Sequence, residues 1–372
     1  MMAYRAKRGL VSLVAAILLA GCGGTAAAPP SGSPARSAAA SAPSTAAGIV
    51  AYQGADRQQM LEDGARKEGH LLWYTSLAGP VIDRLFAGFK QKYPYIETQV
   101  FRGDEGQLLT RETQEAQSGK DMADVFESTP TTPRLLADAN LLARFTFSGI
   151  GSYPQNYATK LADGTVESAV DRVQYVAYAY NTSVLSAAAE PKTLQDLLKP
   201  ELAGKLGLAG SSSGPRWVGG VLQELGPDKG KQFLTQMAAQ QKPKVYQVSA
   251  TSLNDLIAKG EVAASPTVFE SDALRVAKES QAPVKWLPLA PVVVNAGEVA
   301  IAAKAPHPHA AALFVDYLLN DGRQTFADIG MHTPLEKTPA DFKVFLPEQG
   351  KSASQISADT KAWGDLFSSL FR

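Results

Sequence analysis

The sequence predicts a two-lobed α/β protein whose halves are joined by two hinge crossings. Three observations carry that expectation. Apolar runs of strand length alternate with helix-periodic stretches in βαβαβα order, which implies a largely parallel sheet with covering helices. The body from Ile49 to Arg372 is too large for a typical single core. Two apolar extended segments, Val173 to Asn181 and Pro291 to Asn295, each lie between material of different α/β units, as strands that cross a hinge must. The expected division gives residues 49–175 plus 299–338 to the first lobe and 176–298 plus 339–372 to the second. Two ordinary sheet strands of one large domain are the alternative reading of the same segments.

Ahead of that body, Arg5, Lys7 and Arg8 precede an apolar run from Leu10 to Ala20 that is too short to span roughly 30 Å of hydrocarbon. The run closes on Leu19-Ala20-Gly21-Cys22, where small residues let a peptidase approach and the thiol of Cys22 would carry a diacylglyceryl group. This resembles the lipobox of bacterial lipoproteins. It implies a signal peptide over 1–22, export, and anchoring to the cell envelope through lipid on Cys22. Because Cys22 is the only cysteine, the fold holds without an internal disulfide. Residues 23–48 are nearly all Ala, Ser, Pro, Gly and Thr, a composition that reads as a flexible tether.

In the first half, Leu71 to Thr75 has a buried-strand pattern, and Gly79-Pro80 opens a helix with Ile82, Leu85, Phe86 and Phe89 on one face. Tyr93-Pro94 stops it. A strand follows at Glu97 to Phe101, then a helix at Glu105 to Gln117, a strand at Asp124 to Phe126 and a short helix at Pro133 to Ala139. In the second half, Thr193 to Asp196 reads as a capping box. Strands are expected at Lys205 to Ala209, Lys244 to Val248, Val262 to Ser265 and Val284 to Leu287. Helices are expected at Trp217 to Leu225, Asp228 to Gln240, Leu253 to Lys259 and Ser271 to Ser280.

Lysine plus arginine and aspartate plus glutamate both number 36, so no global field selects nucleic acid or an acidic membrane. The succession Trp73-Tyr74-Thr75-Ser76, Phe101-Arg102-Gly103, Ala123-Asp124-Val125-Phe126, Ala179-Tyr180-Asn181, Ser211-Ser212-Ser213-Gly214, Lys259-Gly260-Glu261-Val262 and Ala305-Pro306-His307-Pro308-His309 resembles, in its order, the extracellular solute-binding proteins of ABC importers. It is most similar to their ferric-ion-binding branch. The resemblance implies a periplasmic-binding fold of the Venus-flytrap, type 2 kind, a monomer that traps a small solute between its lobes and presents it to permease subunits served by a separate ATPase. It implies neither catalysis nor a cofactor.

In ferric-ion binders two adjacent tyrosines ligate the metal after the strand that follows the Gly-Glu turn. Here that stretch reads Val268-Phe269-Glu270-Ser271, and the acidic ligand expected after Asp-Val-Phe falls near Thr129 unless Glu127 replaces it. Hard ferric iron needs several anionic oxygens, so free iron is disfavoured, with iron or an iron chelate kept as the alternative cargo. Ser211, Ser212, Ser213 and Gly214 lie between a strand and a helix begun by Pro215, where N–H groups and hydroxyls can cradle an anion. Thr75, Ser76, Ser128 and Thr129 occupy the matching strand-to-helix turns of the first lobe, where open α/β sheets bind ligands. Each could equally be a helix cap. Arg102 could reach an anion or pair with Asp104 or Glu105; Arg216 and Trp217 are weaker candidates. Glu270 would suit a cationic end of the solute, or cap a helix with Ser271. Tyr175 and Tyr180 on the first crossing are candidates to line the cleft together with Phe269. The expected cargo is thus a small anionic or zwitterionic molecule: a phosphonate, a phosphorylated compound or an amino acid derivative.

A reading from another class is a secreted serine hydrolase, since Gly210 to Gly214 matches Gly-x-Ser-x-Gly around Ser212 and His307, His309 and His332 follow. No His-Gly-Gly oxyanion signature precedes it, and Pro215 lacks an N–H near the elbow. The four histidines show no metal-liganding spacing, so no metal site is expected.

Overall fold

The computed structural model describes residues 43–158 and 160–371; Cys22, the signal segment and most of the expected tether lie outside the described residues. The tether ends earlier than its composition suggests. Helix α1 (Ala46–Val50) is capped by the Thr45 hydroxyl, which accepts the Gly48 N–H at 3.1 Å, and it buries Ile49 and Val50. Helix α2 (Arg57–Glu68) follows and stops at Gly69, whose φ of 69° is in the left-handed region.

The first lobe then alternates as its periodicity demands. Strand β1 (His70–Thr75), α3 (Gly79–Lys92), β2 (Glu97–Arg102), α4 (Glu105–Ser118), β3 (Val125–Ser128) and α5 (Thr131–Asp138) succeed one another, with the short β4 (Leu142–Ala143) after them. Asp104 caps α4 in a reciprocal box with Gln107. Strands β2, β1 and β3 are parallel neighbours, so the turns after β1 and β3 emerge side by side: Thr75 is the register partner of Glu127.

Strand β5 (Ala169–Asn181) is buried at every position and leads into the second lobe. There β6 (Gly207–Ala209), α6 (Ser213–Leu225), α7 (Pro227–Gln241), β7 (Lys244–Tyr246), α8 (Ala250–Ala258), β8 (Ala264–Phe269), α9 (Glu270–Glu279) and β9 (Val284–Leu287) follow. Strand β10 (Val292–Ala302), likewise buried throughout, returns to the first lobe, where α10 (Pro308–Leu319) and α11 (Gly322–Asp328) complete it. The chain closes with β11 (Val344–Phe345) and α12 (Ala353–Leu370).

The two long strands are the hinge. One end of β10 pairs with β3 and the other with β11, while β5 pairs with β10 at its start and with β8 and β9 at its end. Separate apolar cores flank them: one holds Trp73, Phe89, Phe126 and Phe314, the other Trp217, Leu234 and Phe367. A smaller cluster of Val170, Tyr175, Val292 and Val294 covers one face of the crossing.

Four expectations change. The main sheet is mixed and not largely parallel, because the two crossing strands run antiparallel to their neighbours: β10 to β3 and β5, and β5 to β8 and β9. The strand expected at Val262 to Ser265 runs over Ala264–Phe269, because the Glu261 and Val262 N–H groups still bond to the Leu256 carbonyl at the end of α8. Helix α6 begins at Ser213, not Pro215. Helix α12, opened by a Ser352–Gln355 capping box, was not anticipated; it packs on α6 and also touches α5.

Candidate functional site

At the hinge, a chain of buried polar groups runs from β1 and β3 across β10 to β5 and the first turn of α9. The Thr75 hydroxyl donates to Glu127 Oε2 at 2.5 Å, and Glu127 Oε1 accepts from Arg172 Nη2 at 2.9 Å and Nε at 3.1 Å. Arg172 Nη1 reaches Gln174 Oε1 at 3.3 Å, and Gln174 Nε2 donates to the Ser271 hydroxyl at 3.1 Å, in the first turn of α9. Glu127 is fully buried and Arg172 only 4 % exposed, so this pair is desolvated and depends on mutual satisfaction. Gly297, opposite Arg172 at a bulge in β10, makes room for it: an added Cβ would lie 2.6 Å from Glu127 Oε1 and 2.8 Å from Arg172 Nε. Asp171, also fully buried, lies beside Gly297 and neither of its oxygens has a hydrogen-bond partner. Burial, and then the Glu127 carboxylate, push its carboxyl up to about 8.

At the end of β3 the hydroxyls of Ser128, Thr129 and Thr131 are all buried without a partner. An unpartnered buried hydroxyl costs about 1–3 kcal/mol. The nearby Glu298 is held by Arg134 Nη2 at 2.9 Å and by the Ser168 hydroxyl at 3.0 Å. Across the hinge, Ser211, Ser212 and Ser213 lead into α6; Ser212 is exposed at the N-cap and its side chain caps nothing, while the Ser211 and Ser213 hydroxyls lie 3.2 Å apart. Gly214 is tightly enclosed, since a Cβ there would meet the Ala209 carbonyl at 2.3 Å. Glu270, first residue of α9, accepts from His332 Nε2 at 2.9 Å, and His332 Nδ1 faces Glu336 at the same distance. These hydrogen bonds, Glu270 first, raise the His332 pKa against the opposing effect of burial.

Of the residues expected at the site, Thr75 joins the hinge chain and Ser76 adjoins it through its N–H on the Glu127 carbonyl; Ser128 and Thr129 stand buried at the end of β3, and Ser211 to Gly214 lead into α6. Phe269 ends β8, and its carbonyl accepts from Asn254. Glu270 does not cap α9, whose N-cap is Phe269. Tyr180 belongs to the second-lobe core, its hydroxyl donating to Glu190 at 2.7 Å. Alternation along β5 puts Tyr175 on the face opposite Arg172 and Gln174, where its ring packs edge-on with Phe342 and tilted against His332, the partner of Glu270. Arg102 pairs with neither Asp104 nor Glu105; it is exposed and donates to the Leu77 carbonyl at 2.7 Å. Arg216 is buried against Glu348, and Trp217 is core.

Sequence reasoning missed Arg172, Gln174 and Gly297, and it named His332 only for the hydrolase reading, not as the partner of Glu270. A signal exists, since Asp171-Arg172 is a charged pair near the start of a largely apolar strand, but the pair lies just ahead of the apolar run that begins at Val173 and marks the crossing. The hydrolase arrangement finds no support in the geometry: His307 is bonded to Asp124, His309 to Glu68 and His332 to Glu270, none of them to Ser212. Among the described residues no three His, Cys, Asp or Glu side chains converge in a way that could hold a metal ion.

The family model for bacterial extracellular solute-binding proteins matches residues 84–348. The chain belongs to that family. Solved structures of the same fold include iron-bound HitA from Pseudomonas aeruginosa, 19% identical, covering 81% of this chain and 99% of that one with a TM-score of 0.63. AfuA from Actinobacillus pleuropneumoniae with fructose-6-phosphate bound is 20% identical, with 82% and 98% covered and a TM-score of 0.64. The substrate-binding protein of an ABC transporter from Agrobacterium tumefaciens is 15% identical, with 80% and 94% covered and a TM-score of 0.67. No curated protein matches the chain. As a solute-binding protein it carries the two-lobed type 2 fold, and it falls in a binding family and not in an enzyme class.

Proposed function

We propose that this solute-binding protein is the substrate-binding component of an ABC importer and captures a small organic anion between its lobes for delivery to a permease. The observation that carries the choice of cargo is the neutralisation of the carboxylates at the cleft. Glu127 is bound by Arg172 and Thr75 and Glu270 by His332, while the unpartnered Asp171 carboxyl is raised toward its neutral form by burial and then by Glu127, so the anionic oxygens that ferric iron requires are not on offer at the hinge. The α6 turn, with its hydroxyls and N–H groups, then provides the anion seat. The same pairing favours an anionic over a zwitterionic solute, because an amine would have to displace His332 from Glu270. HitA and AfuA represent the two cargo chemistries at issue, iron and a sugar phosphate.

A thermal-shift panel of phosphonates, sugar phosphates, amino acid derivatives and ferric salts tests this, since a ligand of the folded form raises its melting temperature by mass action. A phosphorylated or phosphonate compound should give the largest shift. A dominant response to ferric citrate would overturn the reading.

The lipobox-like stretch at Cys22 supports export and lipid anchoring of a monomeric body. Metabolic labelling with an alkyne fatty acid should mark the wild type and not Cys22→Ser. Equal labelling of both would remove the anchor.

A further inference from the structure

We propose that His70 and His307 form an open site for a divalent transition metal in the first lobe, at the end of its sheet away from the hinge and separate from solute capture. The chain has four histidines, and three of them, His70, His307 and His309, gather where β1 and α10 begin. His70 opens β1 and Thr75 closes it, so the site stands about 17 Å along the strand from the hinge chain, at ~3.3 Å per residue. The whole second lobe separates β1 from α10 in the sequence, so only the fold brings this pair together.

The His70 and His307 rings have centroids 5.8 Å apart at an interplanar angle of 48°. A metal about 2.0–2.1 Å from each Nε2 places the centres of two imidazoles roughly 5–6 Å apart across a tetrahedral or wider angle. Each ring is held by its other nitrogen: His307 Nδ1 lies 2.9 Å from Asp124 Oδ2, and His70 Nδ1 lies 3.4 Å from Glu97 Oε2. An ionised carboxylate only accepts, so the Nδ1 atoms carry the protons and the Nε2 lone pairs are left for a ligand. Neither Nε2 has a hydrogen-bond partner among the described residues. A carboxylate behind an imidazole is the arrangement that fixes tautomer and ring orientation in metal-bound histidines.

Both side chains are accessible, 53% exposed at His70 and 28% at His307. Asp124 is fully buried and also accepts the His307 and Leu72 N–H groups, which anchors the His307 ring to β1. Glu68 accepts the His309 and Ala310 N–H groups, so the start of α10 turns no uncompensated positive end toward a cation. His309 is not a ligand in this arrangement: its Nδ1 faces Glu68 and its ring covers Gly64, where an added Cβ would lie 2.1 Å from it. Two imidazoles leave the remaining positions to water. Neutral nitrogen donors suit zinc, nickel and copper, and not calcium, magnesium or ferric iron.

Calorimetry on the untagged protein with the chlorides of zinc, nickel, copper and calcium tests the proposal. One transition-metal ion should bind per chain, copper most tightly, and calcium should give no heat. His70→Ala and His307→Ala should each weaken zinc and nickel binding by about tenfold or more, because one of two imidazoles is lost. His70 is half exposed at the first position of β1, so His70→Ala should keep the melting temperature of the metal-free protein and carries the test even if His307→Ala unfolds on losing Asp124. Electron paramagnetic resonance of the copper-loaded protein should show coupling to two imidazole nitrogens in the wild type and to one in His70→Ala. Absence of zinc, nickel and copper binding, equal affinities in wild type and His70→Ala, or a wild-type copper spectrum with a single nitrogen would each overturn the site. None of these outcomes touches the organic-anion reading of the cleft.

Discussion

Glu127 shows how a buried carboxylate can be satisfied wholly within the protein. A carboxylate at the end of a first-lobe strand could be a metal ligand, yet here two donors from Arg172 and one from Thr75 converge on it, with Gly297 leaving the space they need. Removing one member of a buried pair strands the other, so Arg172→Met should destabilise the protein by about 3–5 kcal/mol in urea unfolding. Glu127→Gln/Arg172→Met should recover most of that loss; a double variant as unstable as the single would mean that the pair is not the cause. His332 gives a pH signature. Both of its ring nitrogens face carboxylates, which favours the imidazolium and raises its pKa. A histidine raised in the folded state contributes stability that is fully present below its unfolded pKa of about 6.5 and is lost as pH rises through the folded value. The melting temperature should therefore fall as pH rises above about 6.5, and His332→Gln should flatten part of that slope. His307, raised in the same sense by Asp124, and the buried carboxyls of Asp171 and Glu112, raised chiefly by burial, contribute to the remainder. A slope unaltered in His332→Gln would refute the assignment.

At the level of elements, α6 decides whether the second lobe can seat an anion. Its first turn is pressed against the end of β6 and against α12: a Cβ on Gly214 would meet the Ala209 carbonyl at 2.3 Å and the Phe367 ring at 2.8 Å, and one on Gly219 the Trp363 ring at 2.5 Å. Glycine at 214 is thus a matter of close approach between helix and strand. Gly214→Ala should cost about 1–3 kcal/mol by overpacking and weaken binding of the best phosphate compound, because the turn must move away from β6. Unchanged affinity by calorimetry would show that the turn does not hold the solute. Helix α12 is the buttress in this arrangement, joining the α6 side of the second lobe to α5 of the first.

For the molecule as a whole, β5 and β10 are the only strands shared between the two sheet halves among the described residues, and both are buried along their length. Bending is then expected at the crossing, with each core moving as a unit. A solute that touches both lobes favours the closed form by its differential binding. The radius of gyration from solution scattering should shrink when the best-stabilising compound of the thermal panel is added. No change with a compound that raises the melting temperature would place binding on one lobe alone.

The alternation of strands and helices was legible in the sequence because periodicity and stop signals are local: the helix from Gly79, the strand at Glu97 and the strand at Val284 all stand where their patterns put them. So were the two crossings, whose predominantly apolar runs mark strands buried on both faces, and the strand-to-helix turns bearing Thr75, Ser128 and Ser211. The partnerships were not legible. Which face of β5 carries Arg172 and which carries Tyr175, that His332 returns to Glu270 from 62 positions away, and that Arg102 turns back to Leu77 depend on how distant segments pack. A residue type states which bonds a side chain can make; only the folded chain, by bringing one partner near and burying another, decides which of them are made.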